Sequence, residues 1–214
     1  MTEKGDIIKK ILGFALIVFL WFVISQYTNP LFIPSPLKVF KSAIEMIQTK
    51  ILLRALLYSF LRITVATTLS ALIAVPLGLF MFNFKIINST LSPITNSLRF
   101  IPITAFYPLL IMWFGIEEKM KIAFLFMATF VYMLPSVMFC LKEVNQDLLD
   151  TAMTVGMNKV QIIYKVLLPS SLPSILQSFI TCYGIGWTYI AISETINAKY
   201  GLGFIINVNT LKTY

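Results

Sequence analysis

Residues 150–169, DTAMTVGMNKVQIIYKVLLP, carry the most specified polar pattern in a chain that is otherwise largely apolar. Their chemistry is non-covalent: caps, a helix-end charge and small residues where another backbone can approach. Asn145 is placed to cap a short helix whose first turn carries Asp147, a carboxylate at the positive helix end. That helix runs through Leu148, Leu149, Ala152 and Met153. Gly156 stands where a helix ends in a left-handed residue, and Asn158 opens a second helix carrying Val160, Ile163 and Leu167 on one face. Pro169 is expected to stop it. The product is a compact helix-turn-helix held at a membrane surface.

Other chemistries are excluded by what the chain lacks. It has no histidine, which removes His-based triads and the commonest metal ligand. Cys140 and Cys182 both lie in apolar runs and read as small packing residues, and no carboxylate cluster has metal spacing, so no metal or cofactor is expected. No stretch matches the phosphate-cradling pattern G-x-x-x-x-G-K-[ST], so the chain is not expected to hydrolyse ATP.

The elements that position the hinge are membrane helices. At 58% hydrophobic and 12% charged residues, the composition is that of an integral membrane protein. Seventeen basic against nine acidic residues would suggest nucleic acid in a soluble protein. Here the basic residues are scattered between apolar segments, and anionic lipid headgroups are the expected counter-charge, with no nucleic acid.

In chain order, a charged lead over 1–10 precedes an apolar run over 11–27, too long for a secretory signal and followed by QYTNP rather than a small-residue cleavage site. It is read as the first span. In IPSPLKVF, Ser35 caps a helix with Pro36 at its first position, and Leu37, Phe40, Ala43 or Ile44, Ile47 and Ile51 recur at helical steps opposite Lys38, Lys41, Glu45 and Gln48. This is an amphipathic helix lying along the interface. Residues 63–82 form the next span, with Arg54 and Arg62 at its start. Each arginine either lines a solute path or, as is commoner, snorkels to headgroups.

Residues 83–99 read as a polar loop, and 101–116, with Pro102 and Pro108, as a short interrupted span inside the bundle. Residues 117–121 read as a tight charged turn, and 121–141 as a span with Pro135 inside it. After the hinge, 172–193 crosses back, with Gly184 and Gly186 offering close helix contacts. Trp187 packs as an interface aromatic or lines the path, and Glu194 is a solvated helix-end carboxylate or a gate. Arg62, Trp187 and Glu194 are therefore the candidate solute-path residues. The tail, 197–214, holds no run long enough to cross again, giving about five spans. The expected division is 1–62, the first span with the interfacial helix, and 63–214, a core carrying the loop at 142–169.

The hinge resembles the cytoplasmic coupling loop of binding-protein-dependent ABC importer permeases. That pattern is Glu-Ala-Ala, three residues, Gly, nine residues, Ile, one residue, Leu-Pro. Asp150, Thr151 and Ala152 take the first places, Gly156 the glycine, Val166 the isoleucine, and Leu168 and Pro169 the end. Asp for Glu, Thr for Ala and Val for Ile are the departures. IPSP before the interfacial helix, WFGI before the tight turn and GLG in the tail resemble the nitrate, sulfonate and taurine branch, which includes permeases for thiamine-precursor pyrimidines and riboflavin. The family usually finishes with one more span, which this chain is expected to lack.

The resemblance implies an all-α membrane bundle of the type I importer permease kind. It also implies two permease copies forming the path, a separate ATPase that binds ATP and takes each hinge in a cleft, and an external solute-binding protein. Asp150 would supply a helix-end contact, Ala152 and Gly156 close approach, and Val166 to Pro169 attachment to the bundle. Basic residues divide almost evenly between the two sides, so the placing of hinge and N-terminus in the cytoplasm comes from the resemblance. The alternatives are a secondary transporter, which would show internal repeats and mid-membrane carboxylates, or a non-catalytic membrane subunit of another complex. A membrane enzyme would need a nucleophile with its base or clustered acids.

Overall fold

The computed structural model describes residues 3–196 and 198–211; Asn197 and residues 212–214 of the tail lie outside the described residues. Every regular element in it is helical: α1 (Glu3–Tyr27), α2 (Pro36–Gln48), α3 (Ile51–Asn83), α4 (Lys85–Leu98), α5 (Tyr107–Phe114), α6 (Glu118–Lys142), α7 (Gln146–Thr154), α8 (Lys159–Ile162), α9 (Leu168–Ser193) and α10 (Leu202–Leu211). Four stretches are long and apolar enough to cross a membrane, and α4 with α5 makes a fifth if that pair, bent by 94°, counts as one broken span. The expected count of about five spans agrees.

The chain divides into two units, described separately. The first runs to Ala55 and takes up the chain again from Asn209. In it, α1 is apolar all round beyond its charged first turns, and its most apolar 18 residues include no buried one, as suits a helix solvated by lipid; Ser25, near its end, is buried. The helix begins within the charged lead, at Glu3. α2 is capped as expected: Ser35 accepts from the Lys38 N–H, and Pro36 needs no donor at the first position. It ends at Thr49, whose hydroxyl and N–H both return to the Glu45 carbonyl, and Lys50 turns the chain with φ 59°. Ile51, which helical spacing assigns to the amphipathic helix, therefore opens α3 instead.

The second unit, Leu56–Val208, holds the bundle. α6 and α9 form its most extensive helix pair. The rest of α3 touches both. Without a hydrophobic driving force in lipid, close backbone approach and interhelical hydrogen bonds must hold such helices. Both are present. A Cβ on Gly78 would stand 2.7 Å from Val137 Cγ1, and one on Gly186 would stand 2.9 Å from Ile63 Cγ2. Ser70 and Thr129 hydroxyls meet at 2.6 Å between α3 and α6, and Thr64 meets Tyr183 at 2.9 Å between α3 and α9. Gly184 differs from the expectation: a Cβ there would touch nothing, because it lies on the exposed side of α9. Gly186→Leu should accordingly destabilise the bundle by about 1–3 kcal/mol through overpacking. Gly184→Leu should leave the thermal unfolding midpoint in detergent close to wild type, and similar losses in both variants would contradict this packing.

Residues 83–99, expected as a loop, are mostly helix. The small polar residues of α4 bond to the turn before them, Ser89 and Thr90 to the Ile86 carbonyl and Thr95 to Leu91, instead of competing with the helix. Pro102 disfavours helical geometry at Ile101, and the chain breaks there before a short 3-10 turn leads into α5. Gly115, at φ 71°, ends α5. The charged turn expected at 117–121 is narrower, since Glu118, Lys119 and Lys121 already belong to the first turns of α6.

Candidate functional site

The hinge is built as its caps dictate. Asn145 Oδ1 accepts the Asp147 N–H at 2.9 Å and starts α7. α7 closes in a Schellman arrangement: the Met157 N–H donates to the Ala152 carbonyl at 3.1 Å and the Gly156 N–H to Met153 at 3.0 Å, with Gly156 at φ 83°. Asn158 then forms a reciprocal capping box with Gln161, both bonds 2.9 Å, and starts α8. Three turn-setting interactions between Asn145 and Gln161 leave the bend little freedom to change shape.

Burial sorts the candidate docking residues. Asp150, Thr151 and Gly156 are exposed, and Asp150 Oδ1 accepts from Gln146 Nε2 at 3.1 Å. Ala152 points inward: it is 5% exposed and packs with Leu149, Ile162 and Leu167 on the core formed by α3, α6 and α9. Val166 and Leu168 are half-buried against the same core, and Pro169 is exposed. Val160, expected on one face with Ile163 and Leu167, is exposed while Leu167 is buried, and Ile162 takes the inward position. Leu148, Met153, Val155, Val160 and Tyr164 thus present apolar side chains outward from α7, α8 and the turn that follows. This outward face has chemistry suited to packing against another protein.

Pro169 does not stop the second hinge helix. Residues 163–167 form a π-helical turn that runs directly into α9, where Pro169 occupies the first turn. Proline has no N–H to offer the preceding turn, and the wider π turn shifts the hydrogen-bond ladder around that gap. The hinge is therefore mechanically continuous with the span, over 159–193.

At the other end of the bundle lies an ion cluster in which Arg62, Lys121 and Glu194 are buried and Glu118 is partly exposed. Arg62 sits about 17 Å along α3 from Ile51, yet it is level with the first residue of α6 and the residue that ends α9, Glu118 and Glu194. Its guanidinium forks onto Glu118, Nε to Oε2 at 2.6 Å and Nη2 to Oε1 at 2.7 Å. Nη1 donates to Glu194 Oε1 at 2.6 Å and to the Tyr200 carbonyl at 2.8 Å. Glu194 also accepts from Ser59 Oγ and, at 2.8 Å, from the Gly203 N–H. Lys121 Nζ reaches Glu118 at 3.2 Å. Tyr58 stacks on Tyr200 with ring centres 5.0 Å apart.

Neither sequence expectation of solvent at this point holds. Arg62 is 4% exposed and Glu194 0%, so the first does not snorkel and the second is not a solvated helix end. Partners in the bundle replace headgroups and water, as burial of a charge requires. The two are brought together, whereas Trp187 packs half-buried in the neighbouring apolar cluster with Ile63, Leu125 and Ile190. Arg54 is exposed. Ser59, Glu118, Lys121 and the GLG turn were not legible as partners. The one available signal was GLG. A Cβ on Gly201, at φ 139°, would collide with the Glu194 carboxylate, and one on Gly203 would stand 2.6 Å from the Ala191 carbonyl. Among the described residues, no group of His, Cys, Asp and Glu side chains is placed to hold a metal.

A multi-span helical bundle with a rigid, outward-facing hinge continuous with one span is the architecture of a transport permease. Residues 66–211 match the family described as binding-protein-dependent transport system inner membrane component, and the chain belongs to that family. It is 30% identical to the taurine transport system permease protein TauC of Escherichia coli (strain K12), over 90% of this chain and 72% of that one. It is 27% identical to the putative aliphatic sulfonates transport permease protein SsuC of Bacillus subtilis (strain 168), over 90% and 70%. It is 24% identical to the formylaminopyrimidine transport permease protein ThiX of Halalkalibacterium halodurans, over 95% and 82%. In fold it is similar to a chain of the MetNI methionine ABC transporter in inward-facing conformations, with TM-score 0.65 and 24% identity over 75% of this chain and 80% of that one.

The protein is thus the multi-pass inner-membrane permease component of a binding-protein-dependent ABC importer. It has no ATPase activity of its own; ATP is hydrolysed by a separate subunit, and a solute-binding protein is the other partner that the family implies. The secondary-transporter alternative is thereby closed.

Proposed function

We propose that this permease imports a small sulfonate of the taurine class, works as a pair of identical copies, and receives the force of ATP binding through the face formed by α7 and α8. The observation that carries the coupling reading is the outward row of Leu148, Met153, Val155, Val160 and Tyr164 on a hinge in which both ends of α7 and the start of α8 are capped. A rigid element with an apolar outer face, continuous with a span, transmits displacement instead of absorbing it. Asp150 and Thr151 edge that face, and Gly156 lets the partner's backbone come close. Closure of two ATPase subunits would draw the two hinges together and rock each bundle from inward-open to outward-open. In this reading the hinge is cytoplasmic and the Arg62 cluster lies on the outer side. Half-buried Val166 and Leu168 attach the hinge to the core, and Ala152 does so from within. The solute class rests on the relatives that carry taurine and aliphatic sulfonates.

Tagged chain purified from its native membranes should bring with it an ATP-binding subunit and a second permease copy, seen as a complex with two copies of each by native mass spectrometry. Deleting the gene should abolish growth on taurine or alkanesulfonates as sole sulfur source while growth on sulfate continues. Recovery of a lone chain from intact membranes would defeat the coupling reading, and unchanged growth on sulfonates would defeat the solute class.

A further inference from the structure

On the hinge side of the bundle, α4, α6 and α9 line an open cavity of about 400 Å³. It is far from the Arg62 cluster, since Lys142 on its wall and Glu118 in the cluster stand at opposite ends of α6, about 36 Å apart. The wall has one sign of charge. Arg99 and Lys142 both line it, joined by Asn96, Ser92, Ser136 and Ser178, and no carboxylate does. Neither cation has an ion-pair partner among the described residues, in contrast to Arg62 and Lys121. We propose that this cavity is an oxyanion site, taking a sulfonate or phosphate head between Arg99 and Lys142; its assignment to transported solute rests on the sulfonate reading above.

The geometry supplies what such a head needs. Arg99 is steadied by Asn96, whose Oδ1 accepts from Nη2 at 3.3 Å, and both line the cavity with further N–H donors that this bond does not use. Lys142 adds a flexible point charge from the last turn of α6. Ser178 Oγ pairs with Cys140 Sγ at 3.4 Å, a weak partner that a charged oxygen would displace. Ser136 donates to the Tyr132 carbonyl at 2.8 Å and so shapes the wall without adding a donor. The mouth is open on one side, which admits either a free solute or the head of an anionic lipid. The two sources share one chemistry.

The test uses the whole complex in nanodiscs of phosphatidylcholine. Radiolabelled methanesulfonate is titrated in one arm, and in the other phosphatidylglycerol is titrated and its retention read by native mass spectrometry. Wild type should bind one of them saturably. The double variant Arg99→Gln, Lys142→Gln should weaken that binding by at least tenfold, as loss of two charge-assisted contacts implies. Ser136→Leu, which fills the cavity and leaves its charge intact, should weaken it comparably, whereas Lys119→Gln, at the other end of α6, should not. Binding of methanesulfonate marks a station on the solute path, and binding of phosphatidylglycerol alone marks a lipid seat; either supports an oxyanion site. If wild type binds neither probe, or if Ser136→Leu and the double variant bind as wild type does, the site is refuted. That refutation leaves the importer reading standing whenever growth on sulfonates still depends on the gene. Methanesulfonate binding without a growth phenotype would strike the solute class alone.

Discussion

Glu194→Ala should cost about 3–5 kcal/mol of stability, the range for removing one partner of a buried charge network. The loss is large because of what remains. Arg62 stays buried with one of its two carboxylates gone, and Ser59 Oγ and the Gly203 N–H lose their acceptor together. Glu118 still holds the fork, but its side chain is 56% exposed and its share of the interaction is weakened by solvent. The turn through Gly201 and Gly203 should detach from the start of α3, because Glu194 and Ser59 are what bind its N–H groups. The check is reversible unfolding in mixed detergent and denaturant. Glu194→Gln, which keeps the shape and loses the charge, should fall between wild type and alanine. The pair Arg62→Met, Glu194→Leu should recover part of the loss, since neither charge is then stranded. A wild-type midpoint for Glu194→Ala would mean that the cluster does not hold the tail turn.

Gly156→Arg should release the ATPase. Nothing stands within 4 Å of a Cβ at this position, so the added side chain projects into the space that the proposed partner needs and not into the bundle. Two effects must be separated. A non-glycine residue at φ 83° carries about 1–2 kcal/mol of backbone strain, which a shape change in α7 would relieve. Asparagine tolerates this conformation, so Gly156→Asn isolates the backbone term. The expectation is that the ATPase accompanies wild type and the asparagine variant, and is lost from the arginine variant while the bundle stays folded, with a stability loss no larger than the backbone strain of about 1–2 kcal/mol. Solute-stimulated ATP hydrolysis in the reconstituted complex should fall at least tenfold for arginine. Retention of the ATPase at wild-type stoichiometry would place the docking face elsewhere on the chain.

The hinge was readable because its information is local. Caps, a left-handed glycine and helical spacing act within a few residues, and Asn145, Gly156 and Asn158 form the turns expected of them. Pro169 misled for a related reason: a proline signals a missing donor, but whether the chain breaks or widens into a π turn depends on the neighbours that hold both sides straight. α4 misled in the other direction. Its hydroxyl-rich composition fits a loop equally well until the hydroxyls are seen to bond their own helix.

Composition and period decided that this chain is a helical membrane bundle with about five crossings, and the caps at Asn145, Gly156 and Asn158 set the shape of the hinge between α6 and α9; both follow from the cost of an unpaired backbone in lipid and from short-range capping. Tertiary structure alone decided which charges meet. Arg62 and Glu194 are separated by most of the bundle in sequence, and nothing local distinguishes a snorkelling arginine from one clasped by two carboxylates. The same holds for Arg99 and Lys142, which share a cavity only because α4 and α6 lie side by side. A charge in a membrane protein must find water, headgroups or a partner, and only the packing of the helices says which is within reach.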